Sequence, residues 1–350
     1  MAESLTPLPH LAQMSTIKEV AKRAGVSTAT VSRVFNNTGA VDDDTRDRVK
    51  LVATELRYIP SALGRSLSTR RTDSIGLLLP DLFGEFFSEV IRGSDQTAQQ
   101  HKYHLLVSSS HNNREEIAAA LKMMRGRVDG LVVMSPHIDA QTLNANLPHN
   151  HPVVLLNCHV EGNTFDSLNI DNVRGARQMV DHLISHGHRR VAIIKGTEHN
   201  IDAEERLAGY SEAMIKGGGE NDGALQFPGD FSEASGYDAV KMIMELTPRP
   251  TAIFASNDSM AIGALSALRD SGIQVPQDMA LAGFDDVPIA AYLTPSLTSV
   301  RVGIHRLGTL AIERVLVALE KKDTYVKQQQ VLPTTLSIRE SCGCSFTREE

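Results

Sequence analysis

Two periodicities govern where apolar residues fall along the chain. Up to about residue 57 they recur at helical spacing; from residue 74 short apolar runs alternate with amphipathic stretches. In the first part, Ile17, Val20, Ala21 and Ala24 stand at i, i+3, i+4 and i+7, one stripe of a helix that Thr16 and Glu19 open as a capping box. Gly25 supplies a residue that tolerates positive φ, and Ser27 is a fresh N-cap before a helix over 28–36. Two short helices joined by a tight glycine turn make a helix-turn-helix. A third helix, over about 45–57, repeats the stripe through Val49, Val52, Ala53 and Leu56, so the three can share one small core.

The second helix carries the chemistry of this region. Val31, Val34 and Phe35 face the core, which leaves Thr28, Ala29, Ser32, Arg33 and Asn36 outside. That face has little bulk, hydroxyls able to meet phosphates, and one guanidinium able to pair with guanine, as a helix entering the major groove requires. The competing reading is an ordinary solvated face of a three-helix bundle. Tyr58-Ile59-Pro60 is expected to stop the third helix, and residues 61–67 are expected to form two helical turns capped by Ser61 and weakened by Gly64. Beyond them Ser68-Thr69-Arg70-Arg71 is polar and basic, so this segment is expected to order only against a partner.

From residue 74 the strand-like runs are 75–79, 105–108, 131–134, 153–156, 191–194, 252–255 and 280–284, with helix-like stretches such as 117–124, 174–185, 204–216 and 260–271 between them. This alternation predicts parallel sheets with helices on both faces, and seven or more strands favour two sheets over one. Ligands of such folds bind beyond the carboxyl ends of the strands. Those positions hold Asp81, Ser108, Ser135, Asn157, Asn257, Asp258, Asp285 and Asp286. Hydroxyls, amides and carboxylates suit a polyhydroxylated ligand such as a sugar or nucleoside. The same acids could serve a paired-carboxylate hydrolase, or, like Asp258 and Asp286 at loop ends, simply cap helices.

The net charge of −7 argues against nucleic acid until it is divided. Residues 1–71 carry eleven Lys/Arg against seven Asp/Glu, a balance of +4, which leaves −11 on the remainder: a basic head and an acidic body. No apolar run is long enough for a membrane span and no start resembles a signal peptide, so the expected location is the cytoplasm. Three cysteines are too few for a disulfide scaffold, and Cys342-Gly343-Cys344 alone is a poor zinc site. His182 and His186 have the i, i+4 spacing of zinc ligands, but Gly187 ends their helix, no third ligand is near in sequence, and histidines there suit a helix C-terminus. Gly217-Gly218-Gly219 follows a helix and lacks a following Lys-Ser/Thr, so it is a loop rather than a phosphate cradle. No cofactor is expected.

The run from Val20 to Asn36 (VAKRAGVSTATVSRVFN), with Tyr58-Ile59-Pro60 and residues 62–67, resembles the lactose/galactose repressor (LacI/GalR) family of bacterial transcription regulators. The resemblance implies that Thr28, Ala29 and Arg33 read bases and that Thr16, Ser27, Thr30 and Ser32 hold phosphates. It implies further that Leu63 packs against its dimer mate and that Leu67 wedges into a base step in the minor groove. It extends to about residue 341 with a fold like periplasmic sugar-binding proteins. The implied architecture is a helix-turn-helix head at 15–60, a hinge helix and linker at 61–72, and a two-lobed body at 73–341. One lobe spans about 73–172 and 303–331, the other about 173–302 and 332–341. The implied effector site is Phe86 and Phe87 at the mouth, Asp171 on a hydroxyl, Arg206 gripping the ligand, Phe231 stacking on it, and Asn257 and Asp285 taking hydroxyls. The chain departs from the family at Val302, where many members carry glutamine, and so loses one polar group near the cleft. The expected function is a ligand-responsive repressor that binds a palindromic operator. Without leucine heptads after Arg339, a dimer rather than a tetramer is expected. A sugar-transport receptor would need a signal peptide and no DNA head; a sugar-processing enzyme would need a nucleophile or metal motif that the sequence does not display.

Overall fold

A computed structural model describes residues 15–36, 38–58, 71–111, 113–135, 138–148, 151–158, 160, 165–220 and 223–344. The chain divides into two compact units between Thr72 and Asp73.

The head contains α1 (Ile17–Ala24), α2 (Thr28–Asn36) and α3 (Asp43–Glu55). The predicted capping box closes α1: the Thr16 amide donates to Glu19 Oε2 at 2.6 Å and the Glu19 amide to Thr16 Oγ1 at 3.4 Å. Gly25 follows at φ 67°, the left-handed turn a Cβ would disfavour. The Thr30 amide donates to Ser27 Oγ, so Ser27 starts α2 as expected. Val20, Ala21, Ala24, Val31, Val34, Val49, Val52 and Ala53 form the small core, with Phe35 and Tyr58 edge-to-face at its rim. α3 starts two residues earlier than its stripe suggested, because Asp42 accepts from the Thr45 amide and caps it.

The body contains two six-stranded sheets. The first has the order β11-β5-β4-β3-β1-β2, built from β1 (Ser74–Leu79), β2 (His104–Ser109), β3 (Gly130–Met134), β4 (Val153–Leu156), β5 (Asp166–Ile170) and β11 (Gln329–Leu332), all parallel. The second has the order β12-β10-β9-β8-β6-β7, built from β6 (Val191–Ile194), β7 (Gln226–Phe227), β8 (Ala252–Ala255), β9 (Ala280–Asp285), β10 (Thr298–Arg301) and β12 (Thr335–Ser337). Only β12 runs antiparallel, against β10. Every predicted strand is present. The additional ones are short or polar: Asp166-Ser167-Leu168-Asn169-Ile170 and Gln329-Gln330-Val331-Leu332 lack the continuous apolar run of a central strand.

Helices α4 (Glu85–Gln100), α5 (Arg114–Met124), α6 (Ala140–Asn146), α7 (Asn172–Ser185), α8 (Ile201–Lys216), α9 (Glu233–Met244), α10 (Asp258–Asp270) and α11 (Ile304–Lys321) cover the sheets. α9 and α10 touch through Gly236 and Gly263, where a Cβ on either would overlap the other helix's backbone at Met260 O and Glu233 O. Among the described residues no helix is long and apolar enough to cross a membrane.

Candidate effector cavity and DNA-reading face

On α2 the predicted outer face is outside: Thr28, Ala29 and Arg33 are exposed, while Thr30, Ser32 and Asn36 are partly so. Several of its polar groups hold one another in place. Ser27 Oγ and Thr30 Oγ1 lie 2.9 Å apart, and Asn36 Nδ2 donates to Ser32 Oγ. Among the described residues Arg33 has no ion-pair partner, and its aliphatic stem lies over Gly39, with Cδ 3.6 Å from the position a Cβ would take there. Thr16 is exposed, its hydroxyl within the capping box. Leu63 and Leu67 lie outside the described residues.

In the body, loops at the carboxyl ends of strands from both sheets enclose a cavity of about 310 Å³, the lower end of the usual range for small-molecule sites. Asp81 follows β1, Met134 ends β3 and Asn157 follows β4; Thr197 lies beyond β6, Phe231 beyond β7, Asn257 beyond β8, and Asp285 ends β9. The helices α4, α8, α9 and α10 also begin here, at Gly84, Asn200, Ser232 and Asn257, so four positive dipole ends point toward the space.

The floor is a buried ion pair. Arg206, on α8, is 4% exposed. Its Nε donates to Asn172 Oδ1 at 2.9 Å and its Nη1 to the Ser256 carbonyl at 2.5 Å, while its guanidinium lies 3.9 Å over the Phe284 ring. Its Nη2 stands 3.4 Å from Asp285 Oδ1. That oxygen makes no hydrogen bond with the described residues. Burial pushes the Asp285 carboxyl up to about 7; Arg206 opposes the rise and the nearby Asp202 adds to it. Asp285 also sits at φ 111°, a backbone region that costs a non-glycine residue about 1–3 kcal/mol. Asn157, His199 and Phe231, all in the cavity wall, have positive φ as well.

Phe231 is placed by two neighbours. Its carbonyl accepts from Asn257 Nδ2 at 3.0 Å, and its ring fills the space a side chain would need at Gly196, where a Cβ would overlap it. Asn257 Oδ1 accepts from the Met260 amide, so both polar atoms of this residue are already engaged. Phe86 and Phe87 form an edge-to-face pair, ring centres 5.5 Å apart, on the opposite wall. Asp171 is not brought into the wall: its carboxylate accepts from the Arg174 amide and caps α7.

Of the strand-end set, Asp81, Asn157, Asn257 and Asp285 line the cavity and Ser108, Ser135, Asp258 and Asp286 do not. Asp258 accepts from the Ser299 hydroxyl and the Val287 amide inside the core; burial and the neighbouring Asp285 push its carboxyl well above the usual range. Burial pushes Asp286 up too, but hydrogen bonds from Arg301, Ser337 and Arg339 outweigh it and hold the carboxyl below its ordinary value. Val302 is buried in the core and is not part of the wall. Thr197, Glu198, His199, Asn200 and Asp202 went unnoticed in the sequence. They follow β6, a strand the sequence predicts, so the rule that ligands meet strand ends is the signal that points to them.

Residues 16–61 match the model described as bacterial regulatory proteins, lacI family, and residues 180–342 match the periplasmic binding protein-like domain. The HTH-type transcriptional repressor PurR of Erwinia tasmaniensis is 38% identical over 329 residues, covering 93% of this chain and 96% of that protein. Its namesake in Escherichia coli is 37% identical over the same length. Among solved structures, the transcriptional regulator CelR–cellobiose complex superposes with a TM-score of 0.70 at 32% identity, covering 93% of this chain and 99% of that one. The lac repressor dimer bound to operator and the anti-inducer ONPF superposes with a TM-score of 0.81 at 28% identity, covering 94% and 99%. The chain therefore belongs to the lacI family of bacterial regulatory proteins.

Proposed function

We propose that the protein is a cytoplasmic, dimeric transcriptional repressor that binds a palindromic operator and is controlled by a small, uncharged, hydroxyl-bearing effector of the sugar or nucleoside class. In this reading residues 15–60 read DNA, residues 61–72 form the hinge with Leu63 at the dimer contact and Leu67 as the minor-groove wedge, and residues 73–341 form the sensor. Thr28, Ala29, Arg33 and Asn36 face base edges, and Thr16, Ser27, Thr30 and Ser32 face phosphates. Phe86, Phe87, Arg206, Phe231, Asn257 and Asp285 hold the effector.

The observation that carries this reading is the origin of the cavity walls in the strand ends of both sheets. A molecule held there touches both halves of the body, so it favours one arrangement of them over another, and anything linked to that arrangement must respond. The solved neighbours support it: one holds cellobiose, and another is a dimer on its operator. That the curated relatives are transcriptional repressors favours a regulator over an enzyme.

The charge of the walls narrows the ligand. Asp81, Glu85, Glu198, Asp202, Asp230, Glu233 and Asp285 line the cavity, and these seven carboxyls outweigh the already paired Arg206 and the roughly half-charge of each of the four helix N-termini. A phosphorylated sugar or a nucleotide would bring its charge into that field, whereas a neutral polyol would be met by acceptors and aromatic faces. A thermal-shift screen of neutral sugars, nucleosides and their phosphates, followed by operator binding with each hit, tests this. Stabilisation by phosphates alone overturns the ligand class, and an operator affinity that no hit alters overturns the sensor reading.

A further inference from the structure

The C-terminal Cys-Gly-Cys and the histidine-bearing end of α7 are far apart in sequence, yet the fold brings them together. Cys342 Sγ and Cys344 Sγ lie 3.2 Å apart, and Cys344 Sγ lies 3.1 Å from His182 Nε2. All three donor atoms fall within 4.8 Å of one another. Neither element reaches this position loosely. His182 is in the last turn of α7, whose inner face is core, and the segment carrying Cys342 is bound to β9 and β10. There the Thr298 amide donates to Ser341 Oγ, that hydroxyl donates to the Leu281 carbonyl, and the Arg339 amide donates to Thr298 Oγ1. Gly343, at φ 77°, turns the chain so that both thiols face the same imidazole.

We propose that His182, Cys342 and Cys344 form a site for one thiophilic d¹⁰ cation, of which Zn²⁺ is the representative, with its fourth position open to solvent beside the half-exposed Cys344. The geometry fits such an ion. Zinc–sulfur bonds of about 2.3 Å and zinc–nitrogen bonds of about 2.0–2.1 Å at tetrahedral angles place ligand atoms roughly 3.6–3.8 Å apart. The two Cys344 separations, 3.2 and 3.1 Å, are slightly shorter, so an opening of about half an ångström there admits the ion. Two thiolates and one imidazole are a soft set, which favours zinc over magnesium or calcium. Binding releases the thiol protons to solvent and makes three metal–ligand bonds, with a water completing the shell. The remaining cysteine, Cys158, is enclosed in the first sheet's core, its thiol pushed up to about 12 by burial, and is a built-in inert control.

The test is a titration of the full-length reduced protein with Co²⁺, which reports thiolate coordination by its near-ultraviolet charge-transfer band, followed by displacement with Zn²⁺. The expected result is a band saturating at one Co²⁺ per chain and bleached by one equivalent of Zn²⁺. The Cys344→Ser variant, altered at a half-exposed position, should keep the wild-type circular dichroism and lose most of the band. His182→Ala should weaken Co²⁺ binding by at least tenfold. The proposal is overturned if the wild type gives no saturable thiolate band, or if both variants bind Co²⁺ as tightly as the wild type does.

Discussion

The buried carboxyl at the floor of the cavity should leave a signature in the stability of the protein. Burial lifts Asp285 from 3.8 to about 7, a gap worth roughly 4 kcal/mol. Between those values the unfolded chain has released its proton while the folded chain still holds one, so stability falls as pH rises and levels off above the folded-state value. Of the total, roughly 2–3 kcal/mol falls between pH 5 and pH 8. Other shifted groups also contribute to the pH dependence. Asp258 acts in the same direction, and Asp285 is one cause of its rise. His151 and His188, both pushed down by burial, act in the opposite one. Asp285→Asn keeps the volume and removes this titration, together with the part of the Asp258 rise that Asp285 causes, which has the same sign. The offset between mutant and wild type at any single pH mixes the lost ion pair with the lost desolvation cost, so only the pH dependence of the difference is diagnostic. The chain has no tryptophan, so urea unfolding is best followed by far-ultraviolet circular dichroism, at fixed protomer concentration because the proposed dimer makes stability concentration-dependent. The wild type should lose roughly 2–3 kcal/mol more than the mutant from pH 5 to pH 8. A difference that stays flat over that range would refute the reasoning.

Arg206→Ala should leave operator affinity unchanged in the absence of effector and abolish the effector's influence on it, read by fluorescence anisotropy of labelled operator; an unshifted effector midpoint would clear Arg206 of the role. Gly196→Ala should displace the Phe231 ring and weaken effector binding, the overpacking itself costing about 1–3 kcal/mol of stability, and calorimetry showing wild-type affinity would mean that the ring does not touch the ligand. Arg33→Ala should relax sequence preference at one position of each half-site, with a loss of about 1–3 kcal/mol; a uniform loss across all sequences would make it a phosphate clamp instead.

The parts of the fold that were legible in the sequence are those where local physics and tertiary need agree. The capping box at Thr16 and Glu19, the turn at Gly25 and the core stripe of α2 are each decided within a few residues, and the structure reproduces them. The central strands declare themselves as apolar runs because both their faces are covered. Edge strands such as Gln329–Leu332 do not, since their side chains are largely exposed and only backbone pairing makes them strands. At the cavity, strand-end position picked out Asp81, Asn157, Asn257 and Asp285, but could not separate a wall residue from a cap. Asp258 stands next to Asn257 in sequence, yet its carboxylate turns into the core to hold Ser299 and Val287. The meeting of His182 with Cys342 and Cys344 was invisible for a different reason: it depends on the chain returning across β10 some 160 residues later, which no local pattern encodes.

The Asp285 oxygen that makes no hydrogen bond with the described residues bears on how an effector would act. Most polar groups around it are already satisfied: Arg206 has three partners, and Asn257 spends its side-chain oxygen on the α10 cap and its nitrogen on Phe231. Asp285 Oδ1, ion-paired at 3.4 Å with Arg206, still has no hydrogen-bond donor among the described residues, and it sits on a residue held in a strained conformation. A ligand hydroxyl placed within reach would supply that donor, and an unmade buried hydrogen bond costs about 1–3 kcal/mol. Asp285, from the second sheet, and the Phe86–Phe87 wall, from the first, line the same cavity, so a ligand that bonds Asp285 while packed on that wall gains both contacts only in this arrangement. A ligand that satisfies Asp285 thus binds one arrangement of the body more tightly than any other. Differential affinity of this kind is the only means by which a small molecule can shift a conformational equilibrium. At about 1–3 kcal/mol it corresponds to a shift of roughly five- to 150-fold, the span typical of coupling between two binding sites. A molecule of the right size that lacked a donor at this point would fill the cavity and leave operator affinity nearly unchanged.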